Sequence, residues 1–165
     1  MYRLIRMTSK DYQDYRDVFS KIEYSVLLGK GMELPPLTRL LMKKEVIAHT
    51  LDIICFQRAI NDPTQGFYFF EVDGVYKGFL QLRFVDATCC DIVEFSVHEK
   101  GVGLGRKMFN ELLLVLKTHG IKIVRLYCHD ELKGAQAFWR KMGFSVRYSN
   151  TQKYFERKVK WTRHS

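Results

Sequence analysis

A glycine-rich turn is the part of the sequence whose residue types most directly suggest chemistry. The stretch HEKGVGLGRKMF, residues His98 to Phe109, places glycine at every second position, at Gly101, Gly103 and Gly105. It follows an apolar run and precedes an apolar pattern with helical spacing. Glycines at such a turn let another group approach the backbone, and the amides that open a helix favour an anion. Since Arg106 and Lys107 add positive charge, one interpretation is a site for a negatively charged ligand.

The spacing of these glycines excludes two common phosphate-binding fingerprints. A Walker loop requires GxxxxGK followed by Ser or Thr, which the sequence does not contain. A dinucleotide fingerprint requires GxGxxG, but its third glycine would fall on Arg106 or on Met108. The turn by itself is equally compatible with an anion site and with close packing of a strand against a helix.

The composition of the chain is that of an ordinary globular domain. It has 165 residues, of which 47% are hydrophobic and 27% charged. We therefore expect a single domain over residues 1–165 with an aromatic-rich core. No signal-peptide pattern opens the chain and no apolar run approaches the roughly 20 residues of a membrane span, so we expect a cytoplasmic protein that does not contact a membrane.

The net charge and the cysteines narrow the ligand classes. A formal charge of +9 favours anionic ligands, but the basic residues are spread along the chain, which is more typical of a charged surface than of a nucleic-acid site. The cysteines, Cys55, Cys89, Cys90 and Cys128, show no metal-ligand spacing. We expect free thiols in a reducing compartment and no metal site.

Hydrophobic periodicity predicts the elements that position the turn. The predicted strands are Tyr2–Met7, Phe67–Val72, Val75–Phe84, Cys89–Val97, Ile121–Cys128, Phe144–Tyr148 and Tyr154–Trp161. The first predicted helix has its N-cap within Thr8–Asp11 and ends near Ser20. The others run from Pro35 to Ile60, from Gly105 to Leu116 and from Leu132 to Met142.

The order of these elements predicts the topology. Hairpins give antiparallel strands, whereas the strand–helix–strand step from Cys89–Val97 to Ile121–Cys128 gives a parallel pair. We therefore expect an α/β fold with a mixed, mostly antiparallel sheet of about seven strands and helices on both faces.

Three motifs in order resemble those of the GNAT acetyltransferases. Lys100 to Gly105 resembles the family's pyrophosphate loop, Gln/Arg-x-x-Gly-x-Gly/Ala, and Ala135 to Phe144 resembles its signature Ala-x-x-Phe-Tyr-x-x-x-Gly-Phe. The hairpin Phe70 to Phe79 is similar to the family's second and third strands. The predicted order of elements is also that of the family, so the resemblance covers nearly the whole chain.

The sequence departs from the family pattern at three residues and in the length of one loop. Lys100 stands where Gln or Arg is usual, and Trp139 stands where a general-acid tyrosine is frequent. Leu132 replaces an asparagine three residues before Ala135. In addition, the loop after the fourth strand is short, which leaves the strand register around Phe95 to Val97 open.

The resemblance implies acetyl transfer from acetyl-CoA to a primary amine by direct attack in a ternary complex. The donor would lie where the sheet splays between its fourth and fifth strands, with its pyrophosphate on the amides of the glycine turn. Its pantetheine arm would pair with the end of the fourth strand and contact Trp139. The donor-binding residues that the resemblance implies are Phe95, Val97, Lys100, Gly101, Val102, Gly103, Leu104, Gly105, Arg106 and Trp139.

This reaction requires a general base, because a lysine-like amine with a pKa of about 10.4 arrives protonated at neutral pH. Glu94 is the first candidate, since it is the only carboxylate inside the apolar run from Ile92 to Phe95. Glu99 and Glu71 are weaker candidates. The alternative interpretation of Glu94 is a solvated side chain at an ordinary strand position.

A general acid is less necessary, because the thiolate that leaves has a conjugate acid with a pKa near about 8.5. The indole of Trp139 cannot donate a proton at useful pH. Tyr127 is the first candidate because it lies near the end of the fifth strand, and Tyr148 and His129 are alternatives.

An alternative function is a non-catalytic module on the same fold that senses acyl-CoA or binds RNA. The missing tyrosine and the basic C-terminal tract, Lys153 to Arg163, favour it. The main expectation remains an enzyme whose partners are acetyl-CoA and an unidentified amine acceptor. Nucleic acid is a less favoured partner, and the chain is expected to be a monomer or a homodimer.

Overall fold

A seven-stranded sheet organises the part of the chain that the computed structural model describes, which is residues 1–8, 10, 60 and 62–159. The strands are β1 (Tyr2–Arg6), β2 (Gln65–Val72), β3 (Val75–Phe84), β4 (Cys89–Val97), β5 (Ile123–Leu126), β6 (Ser145–Tyr148) and β7 (Lys153–Lys158). Their spatial order is β1-β2-β3-β4-β5-β7-β6. Only β4 and β5 pair in parallel, which confirms the mixed, mostly antiparallel sheet.

Two helices are described, α1 (Leu104–Thr118) and α2 (Lys133–Lys141). Both begin and end within two residues of the predicted bounds, because glycines mark the ends of their apolar patterns. Neither is long and apolar enough to cross a membrane. The helices predicted up to Ser20 and from Pro35 to Ile60 lie outside the described residues apart from isolated positions, as do Cys55 and the predicted strand end at Trp161.

One extra residue in β4 decides which of its side chains face the helices. Gln81 pairs with Glu94 and Leu82 pairs with Ile92, so Val93 forms a β-bulge. Before the bulge, Ile92 packs in the core shared with α1 and α2, and after it Phe95 does so. The bulge reverses the alternation of the strand and settles the register that the sequence left open.

The pairing of β4 with β5 stops early. Cys89–Ile92 pair with Ile123–Leu126, but β4 continues to Val97 with no partner on β5 among the described residues. The two strands therefore diverge beyond Ile92, which is the expected splay.

The helices α1 and α2 pack on one face of the sheet around aromatic side chains. Trp139 of α2 lies with its ring centroid 4.9 Å from that of Phe95, 6.0 Å from Phe109 and 5.2 Å from Phe144. On the opposite face of the sheet, Phe67 and Phe79 stack at 5.6 Å and are buried. The helices expected on that second face belong to the part of the sequence outside the described residues.

A buried carboxylate ties three neighbouring strands together beside the point of divergence. Asp91 on β4 is 3% exposed. It accepts hydrogen bonds from Arg83 on β3 at 2.7 Å and from Arg125 on β5 at 2.9 Å. Because both guanidinium groups reach the same carboxylate, the contact holds β4 and β5 together along their short paired segment.

We predict that Asp91→Asn lowers the free energy of unfolding by about 2 kcal/mol, because a neutral amide cannot match both guanidinium groups. Urea denaturation measures the change. Asp73→Asn is the matched control, since Asp73 is exposed at a hairpin turn with φ 49°, a conformation that asparagine tolerates. Equal stability of the two variants would contradict the role of Asp91.

Candidate active site

The three positions of the turn favour glycine for different structural reasons. Gly101 and Gly103 have φ of 84° and 83°, in the left-handed region that favours glycine, and Gly103 is the N-cap of α1. A Cβ at either position would meet no atom within 4 Å. Gly105 is different, because a Cβ there would lie 3.2 Å from the Phe138 ring. The turn therefore combines an open approach to its backbone with close packing against α2.

The amides of the turn are available to a ligand. The first helical hydrogen bond runs from the Lys107 amide to the Gly103 carbonyl at 3.2 Å. Among the described residues, the amides of 101–106 donate no hydrogen bond. Gly103 supplies no side-chain cap and the first turn carries no acidic residue. Nothing in the turn competes with an anion for these donors.

The cations around the turn fall into two groups. Lys100 and Arg106 are exposed and form no ion pair within the described part of the chain. Lys107 instead donates to the Tyr2 hydroxyl and lies 4.4 Å from the centroid of its ring. Lys100 and Arg106 are thus the cations left to meet a phosphate, whereas Lys107 ties α1 to β1.

The side chains of the turn and of the β4 end are mostly turned into the core. Leu104 is buried with Met108, and Val97 packs against the same cluster, whereas Val102 is 59% exposed. Trp139 is 6% exposed among its aromatic neighbours, so most of its surface is already covered. Leu104 and Val97 can therefore serve a ligand mainly through their backbone groups.

The two predicted catalytic residues lie on one face of the sheet. Glu94 is half-buried and pairs with Gln81, whose neighbours Leu80 and Leu82 face the helices. Tyr127 follows Leu126, which also faces the helices, so alternation places both residues on the opposite face. They follow the last paired residues of β4 and β5, and the structure therefore brings them to the two sides of the divergence.

Tyr127 has an aromatic neighbour. Its ring is 51% exposed and lies 6.3 Å from that of Tyr154 on β7. Tyr127 is therefore an accessible residue just after the end of β5.

The weaker candidate bases are engaged in ion pairs. Lys77 donates to Glu99 at 2.9 Å, and this hydrogen bond and charge hold the pKa of Glu99 below its usual range. Arg3 donates to Glu71 at 2.7 Å. A carboxylate stabilised in its charged form, as Glu99 is, is a poorer base.

The alternative acids lie in less suitable places. Tyr148 is 77% exposed at the end of β6, which lies beyond β7 in the sheet order. His129 is exposed in the segment that follows β5. Of the two, only His129 lies near the divergence of the strands.

Two residues that sequence reasoning missed hold the segment after β5. Gln136 of α2 is 3% exposed and donates to the His129 carbonyl at 3.1 Å and to Asp130 at 3.3 Å. Lys153 of β7 also donates to Asp130. The presence of a glutamine on the apolar side of α2 could have indicated the role of Gln136. The contact of Lys153 with Asp130 could not be predicted, because it depends on how β7 packs beside the segment after β5.

The described cysteines, Cys89, Cys90 and Cys128, are free, and burial raises the pKa of each thiol, to about 12 for Cys90. They are poor nucleophiles for this reason. Within the described residues, no group of His, Cys, Asp and Glu is arranged to hold a metal ion.

Known structures share this architecture. An acetyltransferase of the GNAT family from Staphylococcus aureus superposes with a TM-score of 0.70 at 13% identity, covering 97% of this chain and 100% of that one. PaiA N-acetyltransferase from Thermoplasma acidophilum, solved in complex with coenzyme A, gives 0.64 at 17% identity, with 96% and 99% covered. An acetyltransferase from Thermus thermophilus gives 0.65 at 21% identity, with 96% and 97% covered. At these identities the likeness establishes the fold alone.

The sequence itself carries the family assignment. No curated protein matches this chain. The pattern of the acetyltransferase (GNAT) family, however, matches residues 34–144, which include the glycine turn and the Ala135 to Phe144 motif. The chain therefore belongs to the acetyltransferase (GNAT) family.

Proposed function

We propose that the protein is an acetyl-CoA-dependent N-acetyltransferase that moves an acetyl group to a primary amine in a ternary complex. One observation carries the proposal: the turn that opens α1 after the end of β4 has amides, at 101–106, that donate no hydrogen bond among the described residues, and it follows the part of β4 that is not paired with β5. The PaiA N-acetyltransferase of T. acidophilum, which has the same fold, was solved in complex with coenzyme A, and this supports acetyl-CoA as the donor here. The acceptor amine is unidentified.

The residues that would bind the donor are those of the turn and of the unpaired β4 end. The amides of Val102, Gly103, Leu104 and Gly105 would meet the pyrophosphate, supported by the dipole of α1. Lys100 and Arg106 would add charge, and the left-handed conformation of Gly101 keeps the approach open. Phe95 and Val97 would offer backbone groups that are not paired with β5 among the described residues. Trp139 would hold the Phe95 ring in place through their edge-on contact.

Acetyl-CoA, when bound, supplies a thioester carbonyl for the amine to attack. Glu94 would take the proton of the amine on a carboxylate oxygen, directly or through water, so that the nitrogen can form the new C–N bond as the C–S bond breaks. A backbone N–H at the β4 end would stabilise the negative charge that develops on the carbonyl oxygen. Tyr127 would donate a proton to the departing thiolate.

We further propose that residues 1–165 form one acetyltransferase domain that acts in the cytoplasm as a monomer or a homodimer. The free thiols of the described cysteines support a reducing compartment. The proposed reaction requires no nucleic acid.

We predict that Gly103→Glu weakens acetyl-CoA binding by about 30-fold relative to Gly103→Gln, measured by isothermal titration calorimetry. Both variants bear the same strain at φ 83° and have the same space, so they differ only in a carboxylate at the pyrophosphate position. Equal affinities of the two variants would remove the turn from the donor site.

We predict that Glu94→Gln lowers kcat/KM about 100-fold at pH 7 and moves the onset of activity toward the pKa of the amine. The assay follows thiol release from acetyl-CoA with lysine, a lysine-containing peptide and a diamine as acceptors. Glu99→Gln is the control, because Glu99 is bound to Lys77, and it should leave the pH profile unchanged. A Glu94→Gln profile that matches the wild-type profile would eliminate Glu94 as the base, and acetyl-CoA binding without turnover of any amine would favour a sensing function.

A further inference from the structure

Hydrogen bonds link three polar side chains, those of Asp62, Gln65 and Gln81, on the face of the sheet opposite α1 and α2. Gln65 donates to Asp62 at 2.9 Å, and Gln81 donates through Nε2 to the Gln65 Oε1 at 2.6 Å. Gln81 is 2% exposed, and its Oε1 has no hydrogen-bond partner among the described residues. A buried acceptor without a donor is costly, so this oxygen requires an explanation.

The hydrogen bonds from Gln65 to Asp62 and from Gln81 to Gln65 fix the orientation of the Gln81 amide. Hydrogen bonds from the Thr64 side chain, the Gln65 side chain and the Thr64 backbone hold the pKa of Asp62 below its usual range, so Asp62 is an acceptor at neutral pH. Gln65 must then turn its nitrogen to Asp62 and its oxygen to Gln81. As a result, Gln81 turns its nitrogen toward β2 and its oxygen away from Gln65.

The remaining neighbour of Gln81 across the sheet is Glu94. Phe67 is the partner of Gln81 on β2, and Glu94 is its partner on β4. Directly opposed residues on one face have Cβ atoms about 4.5–5.5 Å apart, within reach of an amide and a carboxyl group. The bulge at Val93 is what places Glu94 on the same face as Gln81, because unbroken alternation from Ile92 would turn Glu94 toward α1.

We propose that Gln81 is a positioning residue for Glu94, whose protonated carboxyl O–H donates a hydrogen bond to the Gln81 Oε1. This deepens the proposed function and rests on Glu94 as the base. The proton passes from the amine nitrogen to a Glu94 oxygen, and no other bond of the protein changes. Since only the neutral carboxyl can donate, the contact stabilises the proton-bearing form and makes Glu94 a stronger base.

Other titratable groups face the same region but do not replace Gln81 as the acceptor. On this face the described neighbouring strands carry Tyr76, Arg83, Asp91, Arg125 and Tyr127. Asp91 is bound to Arg83 and Arg125, and this cluster of one carboxylate and two guanidinium groups keeps a net positive charge that is the same in the wild type and in the Gln81 variant.

The test is the titration of the Glu94 carboxyl carbon by ¹³C NMR in the unliganded full chain, assigned with Glu94→Gln. We predict that Gln81→Met, which keeps the length of the side chain but removes the oxygen, lowers the Glu94 midpoint by about one pH unit. Gln152→Met, on an exposed turn, is the matched control and should leave the midpoint unchanged. Because Gln81→Met also removes the Nε2 donor to Gln65, its urea midpoint is measured alongside to establish that the variant is folded.

Gln65→Met is a second variant that leaves Gln81 in place. It removes the acceptor of the Gln81 nitrogen and allows the amide to rotate, so we expect a smaller decrease of the Glu94 midpoint. Unchanged Glu94 midpoints in folded Gln81→Met or, should that variant not fold, in Gln65→Met would overturn the proposal. Because this titration needs no substrate, its outcome is separate from the pH–rate test of Glu94 as the base.

Discussion

The central constraint in this structure is the bulge at Val93, together with the early end of the pairing between β4 and β5. One inserted residue reverses the alternation of β4, so that Phe95 joins the aromatic core while Glu94 turns to the opposite face. Beyond the last pair, Ile92 with Leu126, the end of β4 has no partner on β5 among the described residues. The candidate donor site and the candidate base are both consequences of this local irregularity.

The remainder of the site is built around that divergence. The left-handed residues Gly101 and Gly103 turn the chain from β4 into α1 and leave its first amides open, whereas Phe138 packs against Gly105 and joins α1 to α2. Asp91 holds β4 and β5 together where they still pair. The paired segment held by Asp91 lies on one side of the divergence, and the unpaired end of β4 lies on the other.

Much of the fold could be predicted because its signals are local. Apolar periodicity, the Asp73-Gly74 turn and the glycines of the turn placed β3, β4 and both described helices close to their observed bounds. The register around Phe95 could not be predicted, because a single-residue bulge has no signal as strong as a glycine or a proline. The partners of Gln81 and Asp91 were also inaccessible, since Gln81 bonds to Gln65 and Asp91 to Arg125 across strands that are separated in sequence.

We propose that the turn before α1 and the unpaired end of β4 form one ligand site. Backbone amide chemical shifts, followed by NMR during titration with acetyl-CoA, test it most directly. The claim predicts saturable shifts of the 101–106 amides together with those of 95–97, at the same apparent Kd. Saturable shifts confined to other parts of the chain, with these two segments unchanged, would contradict it.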